Sequence, residues 1–221
     1  MIVHDLKTVF VHIPRAAGTS ITHALLRCVL GRNSPRPAEN FSKRLRQDFC
    51  LDVQQKHRLA AEYVPKNIRQ AHWDAYYKFT FVRNPWTRAA SDFCWRYMEP
   101  QYQHRSGREC RRVRARLRAE FNQYLRTCER KIQDVQNEAE DAYWTHAQTQ
   151  VSYITSESGK IILDDVFKLE ELGSTITTIR ISERTGCNIA IGKHNHTLAD
   201  INYKELYTDE TKDLVAEIYK D

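Results

Sequence analysis

A short cationic segment follows an apolar run near the beginning of the chain. Residues 8–20 read TVFVHIPRAAGTS. Arg15 supplies a positive charge, Gly18 permits a tight turn, and Thr19 and Ser20 offer hydroxyl donors. These residue types, in this order, are typical of a loop that binds an anion such as a phosphate or a sulfate group.

The elements predicted on either side of this segment are those that an anion loop requires. Residues 8–13 have the β-branched, apolar pattern of a buried parallel strand, and residues 18–30 carry apolar side chains at helical spacing before Gly31. At such a strand-to-helix junction, backbone N–H groups and the helix dipole attract an anion. We therefore predict an anion site at residues 14–20, with an ordinary strand-to-helix turn as the alternative.

This segment differs from the nucleotide-binding P-loop, G-x-x-x-x-G-K-[ST], at two characteristic positions. When the second glycine of that motif is aligned with Gly18, Ile13 replaces the first glycine and Thr19 replaces the lysine. The cation is Arg15, three residues before the glycine. This pattern argues against a P-loop kinase, which stays an alternative function.

A second strand followed by a cationic turn occurs in the middle of the chain. Residues 78–82 predict a buried strand, and Arg83 follows it directly. Pro85 suits the first turn of a helix. Arg83 can form a bidentate contact with a phosphate, and Ser91, further along that helix, can lie on the same side. Two such turns in one chain are stronger evidence for an anionic ligand than either turn alone.

The remaining predicted elements complete a layered pattern of strands and helices. The pattern predicts a helix at 108–139, short strands at 161–163 and 166–169, and helices at 175–185 and 208–219. Alternating strands and helices favour a three-layer α/β fold with a mainly parallel central sheet flanked by helices. The length predicts one domain over residues 1–221, with a helical insertion at about residues 98–143.

The charge composition indicates which ligands the chain could bind. A formal charge of +6 and a pI near 9.0 suit an anionic ligand. The arginine-rich stretch at 105–118 raises nucleic-acid binding as an alternative, but it lacks the interleaved aromatic residues of such a surface.

The cysteines and the beginning of the chain both favour the cytoplasm. The six cysteines form no C-x-x-C pair, so we expect free thiols in a reducing compartment. No apolar run approaches the roughly 18 residues of a membrane span. The first predicted strand begins at residue 8, so we expect no anchor or signal peptide.

Both cationic segments resemble those of a known family. FVHIPRAAGTSI resembles the 5'-phosphosulfate loop, and FTFVRNPWTRAASDF the 3'-phosphate loop, of sulfotransferases that use 3'-phosphoadenosine 5'-phosphosulfate (PAPS). The likeness is to the carbohydrate sulfotransferases of the family 2 type in particular, and it extends to residues 148–172 and 193–221. It implies a P-loop-like fold, PAPS as co-substrate, no metal, and a hydroxyl acceptor. A carbohydrate is the expected acceptor, with a small alcohol or a lipid-linked sugar as alternatives.

The resemblance also implies a role for each matching residue. The residues that would hold the 5'-phosphosulfate are Arg15, Ala17, Gly18, Thr19 and Ser20. Those that would hold the 3'-phosphate are Arg83 and Ser91. Further cofactor contacts would be Asn195 and Thr197.

The catalytic base of the family is a histidine shortly before the second loop's strand, which implies His72 here. An imidazole whose pKa lies near ~6.5 can accept the proton of an acceptor hydroxyl. Arg15 would be the second catalytic residue, because its charge would stabilise the departing phosphate. His146, His194 and His196 are alternative bases.

One position departs from the family pattern. The family normally has lysine where this chain has Arg15. A guanidinium keeps the positive charge but does not release a proton at physiological pH. We expect an active enzyme that is slow or has a shifted loop, and a catalytically inactive nucleotide-binding protein of the same fold is the alternative.

Overall fold

The computed structural model describes residues 1–30, 59–62, 68–97, 108–133, 146–191 and 202–220. Contacts divide the chain into two compact units. The first comprises Met1–Val82 and Gln150–His194, and the second comprises Arg83–Thr149 and Asn195–Asp221. The single domain over residues 1–221 stays a prediction.

A four-stranded sheet forms the centre of the first unit. Its strands, in spatial order, are β1 (Ile2–Val3), β2 (Thr8–Val11), β3 (Tyr77–Val82) and β4 (Asp165–Lys168). β1 is antiparallel to β2, whereas β2, β3 and β4 are parallel to one another. The mainly parallel sheet is therefore confirmed. The strand predicted at 161–163 is wrong, because Ile161 forms an isolated bridge with Thr155 instead.

Helices follow the strands in the order that the sequence predicts. The α-helices of the described residues are α1 (Gly18–Leu30), α2 (Gln70–Ala75), α3 (Pro85–Tyr97), α4 (Arg108–Gln133), α5 (Thr175–Thr185) and α6 (Asp209–Ile218). α1 and α5 have the predicted bounds, α4 and α6 lie close to theirs, and α3 begins at Pro85 as predicted. The short helix α2 lacks a long periodic pattern, so the sequence did not predict it.

Helices cover both faces of the sheet in the first unit. Phe10, Phe79 and Phe81 belong to a buried cluster that includes side chains of α1 and α5. Val9 and Val11 belong to another cluster, which includes side chains of α2. Successive residues of a strand point to opposite faces, so these apolar strands are buried on both sides. This arrangement gives the three layers of the predicted α/β fold.

The second unit is built from α3, α4 and α6. α4 places Phe121, Tyr124 and Leu125 in a buried cluster with residues of the other two helices. Arg116 and Arg118 of the same helix are exposed, so α4 is amphipathic, with these arginines on its solvated face. None of the helices in the described part of the chain has the length and apolar character needed to cross a membrane.

The structure corrects the prediction that the cysteines are free thiols. Cys28 of α1 and Cys187, which follows α5, form a disulfide with a Cα–Cα distance of 6.1 Å. Packing of α1 against α5 brings them together across a separation of 159 residues, which cysteine spacing alone does not reveal. Cys94 and Cys128 are buried thiols, as predicted. Disulfides are typical of oxidising compartments, so the cysteines no longer support a cytoplasmic location.

We expect the loss of this disulfide to lower the free energy of unfolding by about 4 kcal/mol, because the bond restricts a long loop in the unfolded chain. Cys28→Ser/Cys187→Ser and the wild type should be compared by urea denaturation, with and without reductant. Reduced wild type should match the double variant. Peptide mapping without reductant that finds no linkage between these two cysteines would contradict the assignment.

Candidate functional site

The anion loop, residues 14–20, connects β2 to α1 and has an unusual backbone. Arg15 and Ala17 have φ angles of 64° and 62°, in the left-handed region that residues other than glycine rarely adopt. Each such residue costs about 1–2 kcal/mol. Left-handed residues next to right-handed ones direct successive N–H groups into a concavity that binds anions. Strain of this kind is concentrated at functional sites in proteins.

The core beneath the anion loop compensates this strain. Ile13 and Ala16 are fully buried and belong to the cluster that contains Val9 and Val11 of β2. The Ala16 N–H also donates a hydrogen bond of 3.3 Å to the Ile13 carbonyl, which closes a turn. Residues 13 and 16 thus anchor the backbone, while Arg15 lies between them.

Gly18 serves this site in a different way from the one that the sequence predicted. Arg15 and Ala17 form the tight turn with their positive φ angles, whereas Gly18 does not have a positive φ angle. Gly18 begins α1, and a Cβ atom at this position would overlap the imidazole of His12. A glycine is therefore required here for close approach rather than for turn geometry.

The anion loop fits a phosphate or phosphosulfate group. The first N–H groups of a helix have no carbonyl partner one turn earlier, and the dipole of α1 favours a negative charge beside them. Arg15 and Thr19 are half-buried, whereas Ser20 is 4% exposed. The structure thus brings together the five predicted contacts for the 5'-phosphosulfate on one short segment.

His72 lies on α2, immediately before β3. Its ring stacks on Tyr76, with ring centroids 5.5 Å apart, and lies 6.0 Å from the ring of His4. The His4 Nδ1 and the Tyr76 hydroxyl are hydrogen-bonded at 2.8 Å. His72 therefore belongs to a cluster of three rings in which His4 and His72 are exposed and Tyr76 is buried.

The sheet separates His72 from the anion loop. Thr8 pairs with Tyr77, and Val11 pairs with Thr80, in parallel register. His72 and Tyr76 precede Tyr77 at the amino edge of these strands, whereas the anion loop follows Val11 at the carboxyl edge. Each strand residue adds about 3.3 Å, so roughly 10 Å of strand lies between the two edges. The structure does not bring the predicted base to the predicted donor loop.

The predicted 3'-phosphate contacts lie at the beginning of the second unit. The Arg83 Nε donates to the Thr87 hydroxyl at 3.0 Å. The Asn84 side chain accepts hydrogen bonds from the N–H groups of Trp86 and Thr87, at 3.1 and 3.3 Å, and so caps α3. These N–H groups are already engaged, so the Arg83 guanidinium is the main feature of this turn that attracts an anion.

Several sequence predictions about phosphate contacts and bases stay untested. Ser91 lies two turns into α3 and is 3% exposed, so its hydroxyl is buried within the helix layer. Arg83 and Ser91 stay predicted 3'-phosphate contacts. Other predicted residues lie outside the described residues, namely His194, Asn195, His196 and Thr197.

His146 forms a buried pair with an aspartate that the sequence analysis did not single out. Its Nδ1 lies 2.5 Å from the Asp92 carboxylate, and Asp92 is 2% exposed. The other carboxylate oxygen accepts bonds of 2.8 Å from the Arg96 Nε and from the Tyr124 hydroxyl. Asp92 and Arg96 have the i,i+4 spacing of a helical ion pair, but only the fold brings in His146 and Tyr124.

The Asp92 carboxylate is the charged centre of this network. Burial by itself raises the pKa of Asp92, but the hydrogen bond and charge of His146, together with Arg96, outweigh burial. The pKa of Asp92 is therefore held well below its usual range. A carboxylate held in this way fixes the His146 ring, so this histidine is part of the structural framework of the second unit.

Comparison with known proteins identifies the family of this chain. The sulfotransferase family model matches residues 1–221, the whole chain. The chain belongs to the sulfotransferase family. No curated protein and no solved structure matches it.

Membership of the sulfotransferase family supports transfer of a sulfuryl group to a hydroxyl acceptor. Among the described residues, no three His, Cys, Asp or Glu side chains form a group suited to a metal ion.

Replacement of Asp92 by asparagine should lower the free energy of unfolding by about 3 kcal/mol at pH 7, because His146 and Arg96 lose a buried partner. A carboxyl whose folded-state pKa is depressed stabilises above its unfolded pKa and loses this effect as pH falls. The difference between wild type and Asp92→Asn should shrink as the pH falls below about 4.

Urea denaturation across this pH range measures the effect. Asp209→Asn, at an exposed carboxylate paired with Lys212, is the matched control and should change stability much less. A difference between wild type and Asp92→Asn that grows as the pH falls below about 4 would show that the sign of this assignment is wrong.

Proposed function

We propose that this protein transfers the sulfuryl group of PAPS to a hydroxyl of a carbohydrate. The observation that carries the proposal is the anion loop, with left-handed residues at Arg15 and Ala17 in a chain of the sulfotransferase family. The backbone concavity and the arginine suit a phosphosulfate. The lysine that a P-loop kinase uses is replaced by Thr19.

Arg15 and the N–H groups of the anion loop act on the leaving group. When the sulfur–oxygen bond of the donor breaks, negative charge develops on the 5'-phosphate that departs. Donors already fixed around that position stabilise the charge without reorganising, which lowers the barrier. Arg83 and Ser91 are the residues proposed for the 3'-phosphate.

The acceptor hydroxyl gives up its proton as its oxygen bonds to sulfur. A histidine within hydrogen-bond reach of that hydroxyl suits this step. The reaction takes place where the 5'-phosphosulfate is bound, at the carboxyl edge of β2. His72 is the base proposed from the family resemblance, but its place beyond the amino edge of β2 and β3 argues against direct contact with that hydroxyl.

An inactive nucleotide-binding protein is the second candidate, because arginine replaces the family lysine at position 15. An arginine keeps the charge that binds the donor, whereas it cannot deliver a proton to the leaving group. Binding of adenosine 3',5'-bisphosphate without transfer of labelled sulfate to any member of a broad glycan panel would favour this candidate. Stabilisation by ATP with Mg²⁺, but not by the bisphosphate, would favour a kinase.

Arg15→Ala should lower kcat for sulfate transfer by about 100- to 1000-fold, as expected for loss of a charge that stabilises the transition state. Arg15→Lys should keep the activity, because it restores the cation that the family normally has. Transfer of labelled sulfate to the best acceptor of a glycan panel measures both variants.

Arg27→Ala is the matched control, because Arg27 is an exposed arginine on the last turn of α1. This variant should transfer sulfate at the wild-type rate. Wild-type activity in both Arg15 variants would remove Arg15 from the proposed mechanism.

His72→Ala should keep kcat within about threefold of the wild type, because the ring lies at the opposite edge of the sheet from the anion loop. Loss of a general base typically costs 100-fold or more. The same labelled-sulfate assay distinguishes the two results, and His4→Ala, from the same ring cluster, is the matched control. A loss of 100-fold or more in His72→Ala alone, with unchanged binding of adenosine 3',5'-bisphosphate, would establish His72 as the base.

A further inference from the structure

His12 is the first residue after β2, and it directs its ring toward the beginning of α1. The side chain is buried, with 6% exposed, and its ring stacks on Phe10, with centroids 5.8 Å apart and an interplanar angle of 23°. An aromatic neighbour on the strand therefore holds the imidazole in a defined orientation.

The imidazole of His12 occupies the space that a side chain at Gly18 would need. His12, two residues before the anion loop, and Gly18, the first residue of α1, are thus in direct contact. The segment between them contains both left-handed residues, Arg15 and Ala17. Because His12 and Gly18 are in contact, the chain between them forms a closed turn.

We propose that His12 is a positioning residue for the anion loop. Its ring sets the distance between the end of β2 and the first turn of α1, and thereby holds the loop in the shape that binds an anion. The inference rests on the proposed function, since the anion is taken to be the 5'-phosphate group of the donor. His12 acts through the backbone and needs no contact with the substrate.

Alanine substitutions at the two contact residues, His12 and Gly18, test this role. Alanine at position 18 collides with the imidazole, whereas His12→Ala removes the ring and leaves space for the added methyl group. His12→Ala should therefore restore part of the binding that Gly18→Ala loses. If the two residues acted independently, the losses of binding free energy in the two single variants would add in the double variant.

Isothermal titration of adenosine 3',5'-bisphosphate measures the effect, with adenosine 3'-monophosphate as the ligand that lacks the 5'-phosphate. We expect His12→Ala to weaken bisphosphate binding by about 10-fold and to leave binding of the monophosphate unchanged. Gly18→Ala should lose about 100-fold, and the double variant should bind more tightly than Gly18→Ala. Ile181→Ala, a core variant on α5, is the control for lost stability and should keep both affinities.

Two results would overturn the role of His12 and leave the proposed function intact. One is wild-type bisphosphate affinity in His12→Ala, and the other is a loss in the double variant equal to the product of the single losses. If Gly18→Ala does not fold, the comparison of both ligands on His12→Ala decides the question. A wild-type protein that binds the bisphosphate no more tightly than the monophosphate would instead overturn the proposed function of the loop, and the inference with it.

Discussion

Parallel pairing of β2 with β3 is the constraint on which the rest of the first unit depends. Because both strands run in the same direction, the residues directly after them lie at one edge of the sheet, and the residues directly before them lie at the other. The register of Thr8 with Tyr77 and of Val11 with Thr80 fixes this arrangement. It places the anion loop at the carboxyl edge, and it places the ring cluster of His4, His72 and Tyr76 at the amino edge.

The anion loop shows how a stable core supports a strained backbone. Two residues with side chains occupy the left-handed region, and glycine would adopt that conformation at lower cost. The buried side chains of Ile13 and Ala16 hold the segment on the core instead. The side chains of Arg15 and Ala17 also leave the unfolded loop less conformational freedom than glycines would. A loop backbone fixed by the core in this way would lose little entropy if it bound the proposed anion.

Local patterns predicted the elements well, because apolar periodicity and turn residues act over a few positions. α1 and α5 begin and end as predicted, and the anion loop lies where an arginine follows a buried strand. Long-range proximity was not predictable from such patterns. The disulfide of Cys28 with Cys187, and the pairing of Asp92 with His146, join residues more than 50 positions apart. The same limit applies to His72, since nearness in sequence to β3 does not specify the edge of the sheet.

The disulfide has a topological consequence. A bond between Cys28 and Cys187 makes the chain between them a covalent ring, with a sequence separation of 159 residues. This ring includes α2, α3 and α4, and therefore parts of both compact units. A single proteolytic cut anywhere inside the ring leaves one covalently connected molecule, whereas a cut outside it releases a terminal fragment. In the oxidised protein, the ring segment is thus protected against dissociation after one cut, and the two terminal segments are not.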